Sequence, residues 1–534
     1  MATCESKLDC LIIGHNDMDF GLVEEYLKKT QNYSGAYTDL KANSVNFHGR
    51  RITYMTLLNQ ILKSSTGKDP HFCLTDIPHL GAVILKSFLQ KRGFNVEIIN
   101  SFNNNRDQLI DLLSQSPNAV AIMTTFYVDN APIIEISQFI KQHNPGVKII
   151  IGGPHIFNLF ANQESKTLEF IFKSIEADFY ICDSQGELTL SLILEELRGG
   201  GKQDFSNIPN LTYTFDNIEF HQTKRVVEDN DLSESSADWS YFDRAYYAPT
   251  TQLRTARSCA FSCSFCKYPL MAGPLNLISV EGIEKELDYL SEAGVTNVVF
   301  IDDTFNVPLS RFKDICRLII KKRYSFDWYS FFRCSNSDDE AFDLMEKSRC
   351  KGVFLGIESG DEKILKGMNK FANVERYKNG IRKLKERGII TFASIIVGFP
   401  GETEQSVSNT MEFLEDTCPD FYRAELYYHY SDVPIHKQAD EYGIRGAGYS
   451  WKHNTMDWRR AAELVQNMYK TVKGPSVFPA YMFDFWSIPY LIGRGLSIGQ
   501  ITGFTRIAQE ILVDSFGESV PDISRQESQL LTLF

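Results

Sequence analysis

The chain has 534 residues, 43% of them hydrophobic and 23% charged, and a formal net charge of -13. This length exceeds one ordinary domain, and the composition is that of a globular protein. The acidic balance argues against a nucleic-acid partner gripped through phosphates, and the interrupted apolar stretches argue against a membrane span. Eleven cysteines and a start without a basic, signal-like region predict a cytoplasmic protein rather than a disulfide framework.

Short apolar runs alternate with amphipathic stretches from residue 8 to about residue 197. The predicted strands are 8–14, 95–99, 119–123, 147–151 and 177–181, with helices at 83–92, 132–143 and 188–197. This alternation predicts an α/β domain over 1–200, with a parallel, doubly wound, Rossmann-like sheet. Ligands of such sheets bind beyond the carboxyl ends of the strands, here the loops 124–129, 152–155 and 183–187.

A polar, acidic segment follows over 201–249, and we interpret it as a linker with a small hairpin near 211–220. A second series of strand–helix units occupies 250–430. Its predicted strands are 251–255, 297–301, 327–332, 352–357, 389–397 and 423–428. Six units are too few for an eight-unit barrel, so the pattern predicts a partial (β/α)6 barrel.

The remaining region, 431–534, is rich in aromatic residues and is predicted to be mainly helical after residue 457. Aromatic residues at this density pack a core, or they form a lid that closes over a substrate. A lid of this kind excludes water from reactive intermediates. We therefore interpret the region as a helical, substrate-capping part of the chain.

Three cysteines, Cys259, Cys263 and Cys266, follow the first strand of the second series with the spacing C-x3-C-x2-C. A structural zinc site closes with four ligands. Three thiolates can instead hold three irons of a 4Fe–4S cluster and leave the fourth iron open to a non-protein ligand. Three buried thiols, or a zinc site completed by a distant residue, are the alternatives.

With Phe265 before its last cysteine, this loop resembles the cluster loop of the radical SAM superfamily. In that family S-adenosylmethionine chelates the open iron through its amino and carboxylate groups. The resemblance covers residues 250–430 and implies the family's open six-strand barrel. It also implies roles for polar residues that stand at the predicted strand ends.

Asp302 and Asp303 match the position that holds the amino group of S-adenosylmethionine or binds substrate, and Arg333 matches the position for its carboxylate. Glu358, assisted by Ser359, is placed for a ribose hydroxyl. Helix capping is the structural alternative for the aspartates, and a surface side chain is the alternative for Arg333.

Gly398 lies in the run 394–403, which resembles the family's fifth-strand signature near the adenine. A strand and tight turn that need glycine for backbone reasons are the alternative.

The run 78–97, followed by 149–155, resembles the cobalamin-binding Rossmann domain that precedes many radical SAM barrels. Four residues match positions near the cofactor's nucleotide tail: Thr124, Thr125, Gly152 and Gly153. The motif Asp-x-His-x-x-Gly, whose histidine ligates cobalt in other cobalamin domains, does not occur. We therefore expect no protein imidazole on cobalt, or at most an unusual ligand. A sheet without ligand or with another nucleotide is the alternative.

Together these resemblances imply a cobalamin-dependent (class B) radical SAM methyltransferase. The runs 8–14 and 448–455 are similar to the branch typified by the phosphinothricin P-methylases. The implied cofactors are a 4Fe–4S cluster, S-adenosylmethionine and cobalamin, with flavodoxin or ferredoxin as electron donor. In the family's scheme a 5′-deoxyadenosyl radical activates the substrate and methylcobalamin donates the methyl group.

The implied substrate is a small molecule or natural product, methylated at an unactivated carbon or at a phosphinate phosphorus. A cobalamin-dependent rearrangement or cyclisation without methyl transfer is the first alternative. A non-catalytic iron–sulfur binding protein is the second.

Overall fold

The computed structural model describes residues 7–16, 20–31, 35–127, 129–199, 201–517 and 519–534. Its internal contacts divide the chain into two compact units, the first made of 1–18 and 75–247 and the second of 19–74 and 248–534. Within the described residues, no helix is both long and apolar enough to span a bilayer.

The secondary structure alternates between strands and helices along most of the chain. The strands are β1 Cys10–His15, β2 Val45–Phe47, β3 Arg50–Ile52, β4 Val96–Ser101, β5 Ala119–Met123, β6 Lys148–Gly152, β7 Phe179–Ile181, β8 Leu211–Tyr213, β9 His221–Gln222, β10 Thr250–Leu253, β11 Ala256–Arg257, β12 Asn276–Leu277, β13 Asn297–Phe300, β14 Asp327–Phe332, β15 Cys350–Glu358, β16 Ile390–Val397, β17 Phe421–Leu426, β18 Arg445–Ala447, β19 Ser450–Lys452 and β20 Ser476–Val477. The helices are α1 Phe20–Gln31, α2 Gly35–Ala42, α3 Tyr54–Thr66, α4 Leu80–Gln90, α5 Arg106–Ser114, α6 Ala131–His143, α7 Pro154–Asn162, α8 Ser165–Ile175, α9 Glu187–Arg198, α10 Arg244–Tyr247, α11 Tyr268–Ala272, α12 Val280–Glu292, α13 Leu309–Lys322, α14 Asp339–Lys347, α15 Glu362–Gly367, α16 Val374–Glu386, α17 Glu404–Thr417, α18 Ala439–Tyr442, α19 Trp458–Thr471, α20 Ser487–Gly493, α21 Ile498–Asp514 and α22 Ser524–Leu531.

The first unit is built on a sheet with the strand order β4-β1-β5-β6-β7-β8-β9. The first five of these strands run parallel, and β8 and β9 are antiparallel. Alternate residues of β1, such as Ile12 and Ile13, enter two separate hydrophobic clusters. Both faces of the sheet are therefore covered, which explains why its strands are continuously apolar in the sequence. The predicted doubly wound fold is confirmed.

The segment 201–247 completes the first unit. The hairpin β8–β9 extends the sheet, and the carboxylate of Glu228 accepts hydrogen bonds from the N–H groups of Leu188 and Thr189 at 3.1 and 2.9 Å. Glu228 thus caps the first turn of α9, where the helix dipole favours a negative charge. The sequence predicts that this acidic segment is a solvated linker. In the structure Glu228 is instead buried, because its carboxylate caps the start of α9.

The second unit contains a parallel sheet with the order β10-β13-β14-β15-β16-β17-β20. Its first six strands are those predicted for the partial barrel, and β20 adds a short seventh strand. One face carries an aromatic row in which the rings of Phe331 and Phe392 lie 5.0 and 5.1 Å from that of Phe354. Phe485, from the segment after β20, packs on the same row. Part of the aromatic C-terminal region is therefore core.

Residues 19–74 belong to the second unit, although the sequence-based range of the first domain, 1–200, includes them. The ring of Tyr54 in α3 lies 5.6 Å from that of Phe483, and Asn43 accepts a hydrogen bond from the N–H of Ala480 at 3.0 Å. The apolar face of α3 is buried by these contacts with the C-terminal region. The chain therefore passes from the first unit into the second and back before the first sheet is complete.

Candidate functional site

The cysteine loop, residues 257–269, follows β10 and β11 and is tied down by backbone hydrogen bonds. Ser264 donates its N–H to Met368 O and accepts from the N–H of Ile435, both at 2.9 Å. Cys263 is buried, whereas Cys259 and Cys266 are partly exposed, and all three are free thiols. A loop anchored on both sides holds its thiols in place for a ligand.

The three thiols share one electrostatic neighbourhood. Burial, together with the nearby charges of Cys263, Asp303 and Cys259, raises the pKa of Cys266 to about 11. Among the described residues, no three His, Cys, Asp or Glu side chains converge on a point where a single metal ion would bind. The thiolates of a cubane ligate three different irons, so they do not need to converge in this way.

Asp302 fixes the start of this loop. Its carboxylate is 3% exposed and accepts the N–H groups of Thr255 and Ala256 at 2.6 and 2.9 Å. Asp302 therefore positions the chain between β10 and β11 rather than capping the next helix. Asp303 is accessible to water yet surrounded by protein, and burial together with Asp302 raises its pKa to about 7. Asp303 lies close enough to the thiols for its charge to act on Cys266.

Arg333 lies at the end of β14 and is only 8% exposed, so it is not a surface arginine. Its guanidinium carbon lies 3.7 Å from the ring centroid of Phe261 in the cysteine loop. Its Nη2 atom is buried without a hydrogen-bond partner among the described residues. A buried guanidinium edge with no acceptor is suited to a carboxylate ligand.

Glu358 ends β15 in the left-handed region, with φ of 64°, a conformation that concentrates at functional sites. Its carboxylate pairs with Lys370 at 2.8 Å, and the Lys370 Nζ lies 5.6 Å from the ring centroid of Phe265. Ser359 is buried and accepts the N–H of Asp361 at 3.2 Å, so its hydroxyl stabilises the turn. No motif marks Lys370, which sequence reasoning missed.

Gly398 follows β16 with φ of 97°. A Cβ atom there would lie 2.4 Å from the Trp451 ring, so only glycine permits this packing. The Gly398 N–H donates to the buried carboxylate of Glu402, and burial raises the pKa of Glu402 to about 8. Backbone geometry and packing account for glycine at this position.

The four positions matched to a nucleotide tail lie together at the carboxyl ends of β5 and β6 in the first unit. The Thr124 hydroxyl donates to Gly152 O at 2.8 Å, and Thr125 is exposed. Gly153 has φ of 108°, and a Cβ atom there would lie 3.0 Å from Thr124 Oγ1. Glycine is therefore required close to Thr124 at the point where two parallel strands end, which is the usual ligand edge of such a sheet.

His79 lies beside this edge, at the start of α4. Its Nδ1 accepts the N–H of Ala82 at 3.1 Å, and burial lowers its pKa well below the usual range. The ring is therefore neutral with its proton on Nε2, and Nε2 is buried without a partner among the described residues. An Nε2–H group has no lone pair for a metal.

Comparisons with known proteins agree with this organisation. Residues 253–414 match the radical SAM superfamily model, and residues 73–165 match the B12-binding domain model. The chain is thus a radical SAM enzyme with a preceding B12-binding domain. It belongs to the cobalamin-dependent (class B) family of these enzymes.

Two named proteins illustrate what the chain is similar to. An uncharacterized methyltransferase of Pyrococcus horikoshii is 25% identical, over 61% of this chain and 68% of its own length. The anaerobic magnesium-protoporphyrin IX monomethyl ester cyclase of Rubrivivax gelatinosus is 22% identical, over 66% of this chain and 64% of its own length.

Two solved structures share the fold. The radical S-adenosylmethionine methyltransferase TsrM from Kitasatospora setae, with tryptophan and a SAM analogue bound, has a TM-score of 0.57 at 17% identity and covers 74% of this chain and 81% of its own. The cobalamin-dependent enzyme OxsB, with aqua-cobalamin and S-adenosylmethionine bound, has a TM-score of 0.55 at 16% identity and covers 91% of this chain and 61% of its own.

Proposed function

We propose that the chain is a methyltransferase that uses a 4Fe–4S cluster, S-adenosylmethionine and cobalamin to methylate a small molecule or natural product. The observation that carries the proposal is the buried, unpartnered guanidinium edge of Arg333 packed on the three-cysteine loop. In a chain that also has a B12-binding domain, this pairing of a cluster loop with a carboxylate receptor supports radical chemistry on S-adenosylmethionine.

In this proposal the second unit binds the cluster and S-adenosylmethionine. Cys259, Cys263 and Cys266 ligate three irons, and Arg333 binds the carboxylate of S-adenosylmethionine. Asp303 binds the amino group of S-adenosylmethionine, and Glu358 binds its ribose. The backbone at Gly398 contacts the adenine, and Asp302 holds the cysteine loop in place.

The first unit binds cobalamin at the edge formed by Gly152 and Gly153, with the hydroxyls of Thr124 and Thr125 toward the nucleotide tail. No protein imidazole would ligate the cobalt in this proposal, because His79 Nδ1 already accepts the N–H of Ala82. When bound, the cluster with S-adenosylmethionine supplies a carbon radical, and cobalamin supplies the methyl group. The protein's residues hold these groups and exclude water from them.

Product analysis tests the proposal. The anaerobically reconstituted protein, supplied with a low-potential reductant, S-adenosylmethionine and candidate substrates, is expected to form both 5′-deoxyadenosine and S-adenosylhomocysteine. Formation of 5′-deoxyadenosine with a rearranged product but no S-adenosylhomocysteine indicates a reaction without methyl transfer. Formation of neither product, with cluster and cobalamin both bound, contradicts the proposal.

A further inference from the structure

Two histidines lie side by side at the ligand edge of the first unit. His15 ends β1, and His79 precedes α4 as its N-cap residue. Their ring centroids lie 4.7 Å apart, with 64° between the ring planes. A Cβ atom at Gly14 would lie 2.8 Å from His79 Cβ, so glycine before His15 permits this close approach. The two imidazoles therefore occupy one small volume.

This volume adjoins the edge that is proposed to bind cobalamin. Strand β1 pairs with β5 in parallel, and Ile13 lies opposite Ile122. Two positions further along these strands, His15 is level with Thr124. Parallel strands bring their carboxyl ends to the same edge of a sheet, so the two histidines lie beside the positions that are matched to the nucleotide tail.

Hydrogen bonds determine which nitrogen of each ring carries the proton. His15 Nε2 lies 3.2 Å from Ile77 O, and a carbonyl oxygen only accepts, so Nε2 donates and Nδ1 keeps a lone pair. His79 has the opposite arrangement, because its Nδ1 accepts from Ala82 and its Nε2 carries the proton. Burial lowers the pKa of His15 to about 4 and also lowers the pKa of His79. A neutral acceptor therefore lies beside a neutral donor.

Both of these polar atoms lack a partner among the described residues. His79 is 2% exposed, and its Nε2 is buried without an acceptor. The His15 ring makes its one hydrogen bond in the described part of the chain to Ile77, so its Nδ1 receives none. Contact with the face of a neighbouring ring is a weak substitute for a hydrogen bond. Because buried polar groups are normally paired, these atoms indicate a ligand outside the protein.

An exposed aromatic ring packs against the histidine pair. Phe126, in the loop after β5, has its ring centroid 5.5 Å from that of His15 and 5.4 Å from that of His79. The Phe126 residue is nevertheless 66% exposed, so its ring has room to move aside for a ligand. An aromatic surface beside a few polar atoms is typical of small-molecule sites.

The ligand group that fits this pair supplies an acceptor and a donor together and carries no charge. A carboxylate or phosphate has only acceptors, and its lone pairs would meet the lone pair of His15 Nδ1. An ammonium group has only donors and leaves His79 Nε2 without an acceptor. A primary carboxamide has both groups. Cobalamin carries primary carboxamides around its corrin ring, so it offers the matching group.

We propose that His15 and His79 form a recognition site for a carboxamide side chain of the corrin ring. His79 Nε2–H donates to the amide oxygen, and His15 Nδ1 accepts the amide N–H. The inference rests on the proposed function, because it names contacts that hold the cobalamin of that reaction. Neither histidine ligates the cobalt in this arrangement.

Two corrinoids test the inference by binding alone. Dicyanocobinamide carries the carboxamides, and dicyanocobyrinic acid heptamethyl ester carries methyl esters in their place. An ester keeps the carbonyl acceptor but has no N–H donor. Both compounds hold cyanide on cobalt, so ligation of cobalt by the protein does not contribute. Equilibrium dialysis against the full chain, reconstituted with its cluster and free of cobalamin, gives the two dissociation constants.

The wild-type protein is expected to bind the amide at least about fivefold more tightly than the ester, which is the effect of one neutral hydrogen bond. Equal binding of the two corrinoids, or tighter binding of the ester, overturns the inference without any variant.

Variants of the two histidines are expected to differ in a characteristic way. His15→Phe keeps a flat ring but lacks the acceptor, so it weakens binding of the amide at least about fivefold and leaves binding of the ester unchanged. His79→Asn keeps an oxygen that caps α4, but its side chain is too short to replace Nε2–H. It therefore weakens both corrinoids about equally. His143→Phe is the matched control, because His143 is exposed at the end of α6, and it is expected to bind both as wild type does.

The ratio of the two dissociation constants decides the outcome. An ester-to-amide ratio in His15→Phe equal to that of wild type overturns the inference, as it would if a water molecule joined the two histidines. Circular dichroism shows whether each variant folds, and either variant decides alone because each has its own expected ratio. Nitrogen splitting in the electron paramagnetic resonance spectrum of bound cob(II)alamin that disappears in His15→Phe would make His15 a cobalt ligand, which also overturns the inference.

Product analysis of the wild-type protein separates this inference from the proposed function. If 5′-deoxyadenosine and S-adenosylhomocysteine both form but the two corrinoids bind alike, the recognition site alone is refuted. If the amide is preferred and His15→Phe abolishes the preference, but neither product forms, the proposed function fails and the recognition site stands.

Discussion

Lys370 and Glu358 form an ion pair with 2.8 Å between Nζ and Oε1, and the two side chains are only 9% and 11% exposed. The pair joins the end of β15 to the loop before α16, next to Phe265 of the cysteine loop. Burying two opposite charges together removes most of the cost of burying either one alone. Lys370 therefore supplies the counter-charge for the buried Glu358 carboxylate.

Replacing Lys370 by Met leaves the Glu358 carboxylate buried without a cation. We expect a loss of about 3 kcal/mol in the free energy of unfolding, measured in urea by the fluorescence of Trp328 and Trp451 in the same unit. The double variant Lys370→Met, Glu358→Gln is expected to recover most of this loss. Arg382→Ala breaks an exposed pair and is expected to change stability by less than about 0.5 kcal/mol. Equal stability of Lys370→Met and wild type contradicts the account.

Replacing Cys259, Cys263 and Cys266 together by Ala removes all three thiolates. Iron is expected to fall from about four per chain to near zero after anaerobic reconstitution. Iron analysis and electron paramagnetic resonance measure this loss. Cys73→Ala, which changes a partly buried cysteine outside the loop, is the control and is expected to retain iron. A cluster that persists in the triple variant disproves the ligand assignment.

The parts of the site that the sequence predicts are those with a local signature. The cysteine spacing is contained in eight residues. Asp302, Arg333 and Glu358 each lie at or just after the end of a strand whose apolar run is visible in the sequence. Parallel strands bring their carboxyl ends to one edge, so strand order alone brings such residues together. The doubly wound sheet and the six-strand series follow from the same periodicity.

Residues that act through distant partners were not predictable in this way. Lys370 lies in a loop without a motif, and Asp39 reaches Tyr449 and Tyr481 across more than 400 positions of sequence. Glu228 lies in an acidic run that is typical of a solvated linker, and only its contact with α9 shows why it is buried. Such contacts depend on how helices and strands pack against each other, and a short sequence motif carries no information about that packing.

Replacing Arg333 by Met removes the unpartnered guanidinium. Because a charge-assisted hydrogen bond contributes about 1.5–3 kcal/mol, we expect the dissociation constant for S-adenosylmethionine to rise at least tenfold. Equilibrium dialysis on the reconstituted protein measures it. Stability is expected to change little, since the lost Nη2 has no protein partner among the described residues. Arg317→Ala, at an exposed ion pair, is the control, and unchanged affinity in Arg333→Met refutes the assigned role.

Replacing Gly398 by Ala places a Cβ atom 2.4 Å from the Trp451 ring. Backbone strain at positive φ and the displaced ring together are expected to cost at least about 3 kcal/mol, measured by denaturant unfolding. Gly495→Ala is the matched control, because Gly495 has a similar positive φ of 100° but open space around its Cβ position. Its cost is expected near 1 kcal/mol, by order of magnitude. Similar costs at the two positions would show that strain, not the Trp451 contact, requires the glycine.

The buried Glu402 gives the protein a pH-dependent stability. Its pKa is raised by burial to about 8, from the ordinary value of 4.5, so the folded chain keeps a proton that the unfolded chain releases. The stability that this proton provides is complete below about pH 4.5 and is lost as the pH rises toward about 8. We expect Glu402→Gln to remove a slope of up to about 1.4 kcal/mol per pH unit from the unfolding free energy in this window.

Urea unfolding of wild type and Glu402→Gln between about pH 5 and pH 8 measures the difference in slope. Asp39 and Asp303, whose pKa values are also raised, contribute equally to both proteins, so the difference isolates Glu402. Glu404→Gln, with its exposed carboxylate, is expected to parallel wild type. Parallel curves for wild type and Glu402→Gln would mean that the carboxyl beside the Gly398 turn titrates normally, and the burial argument would then be wrong.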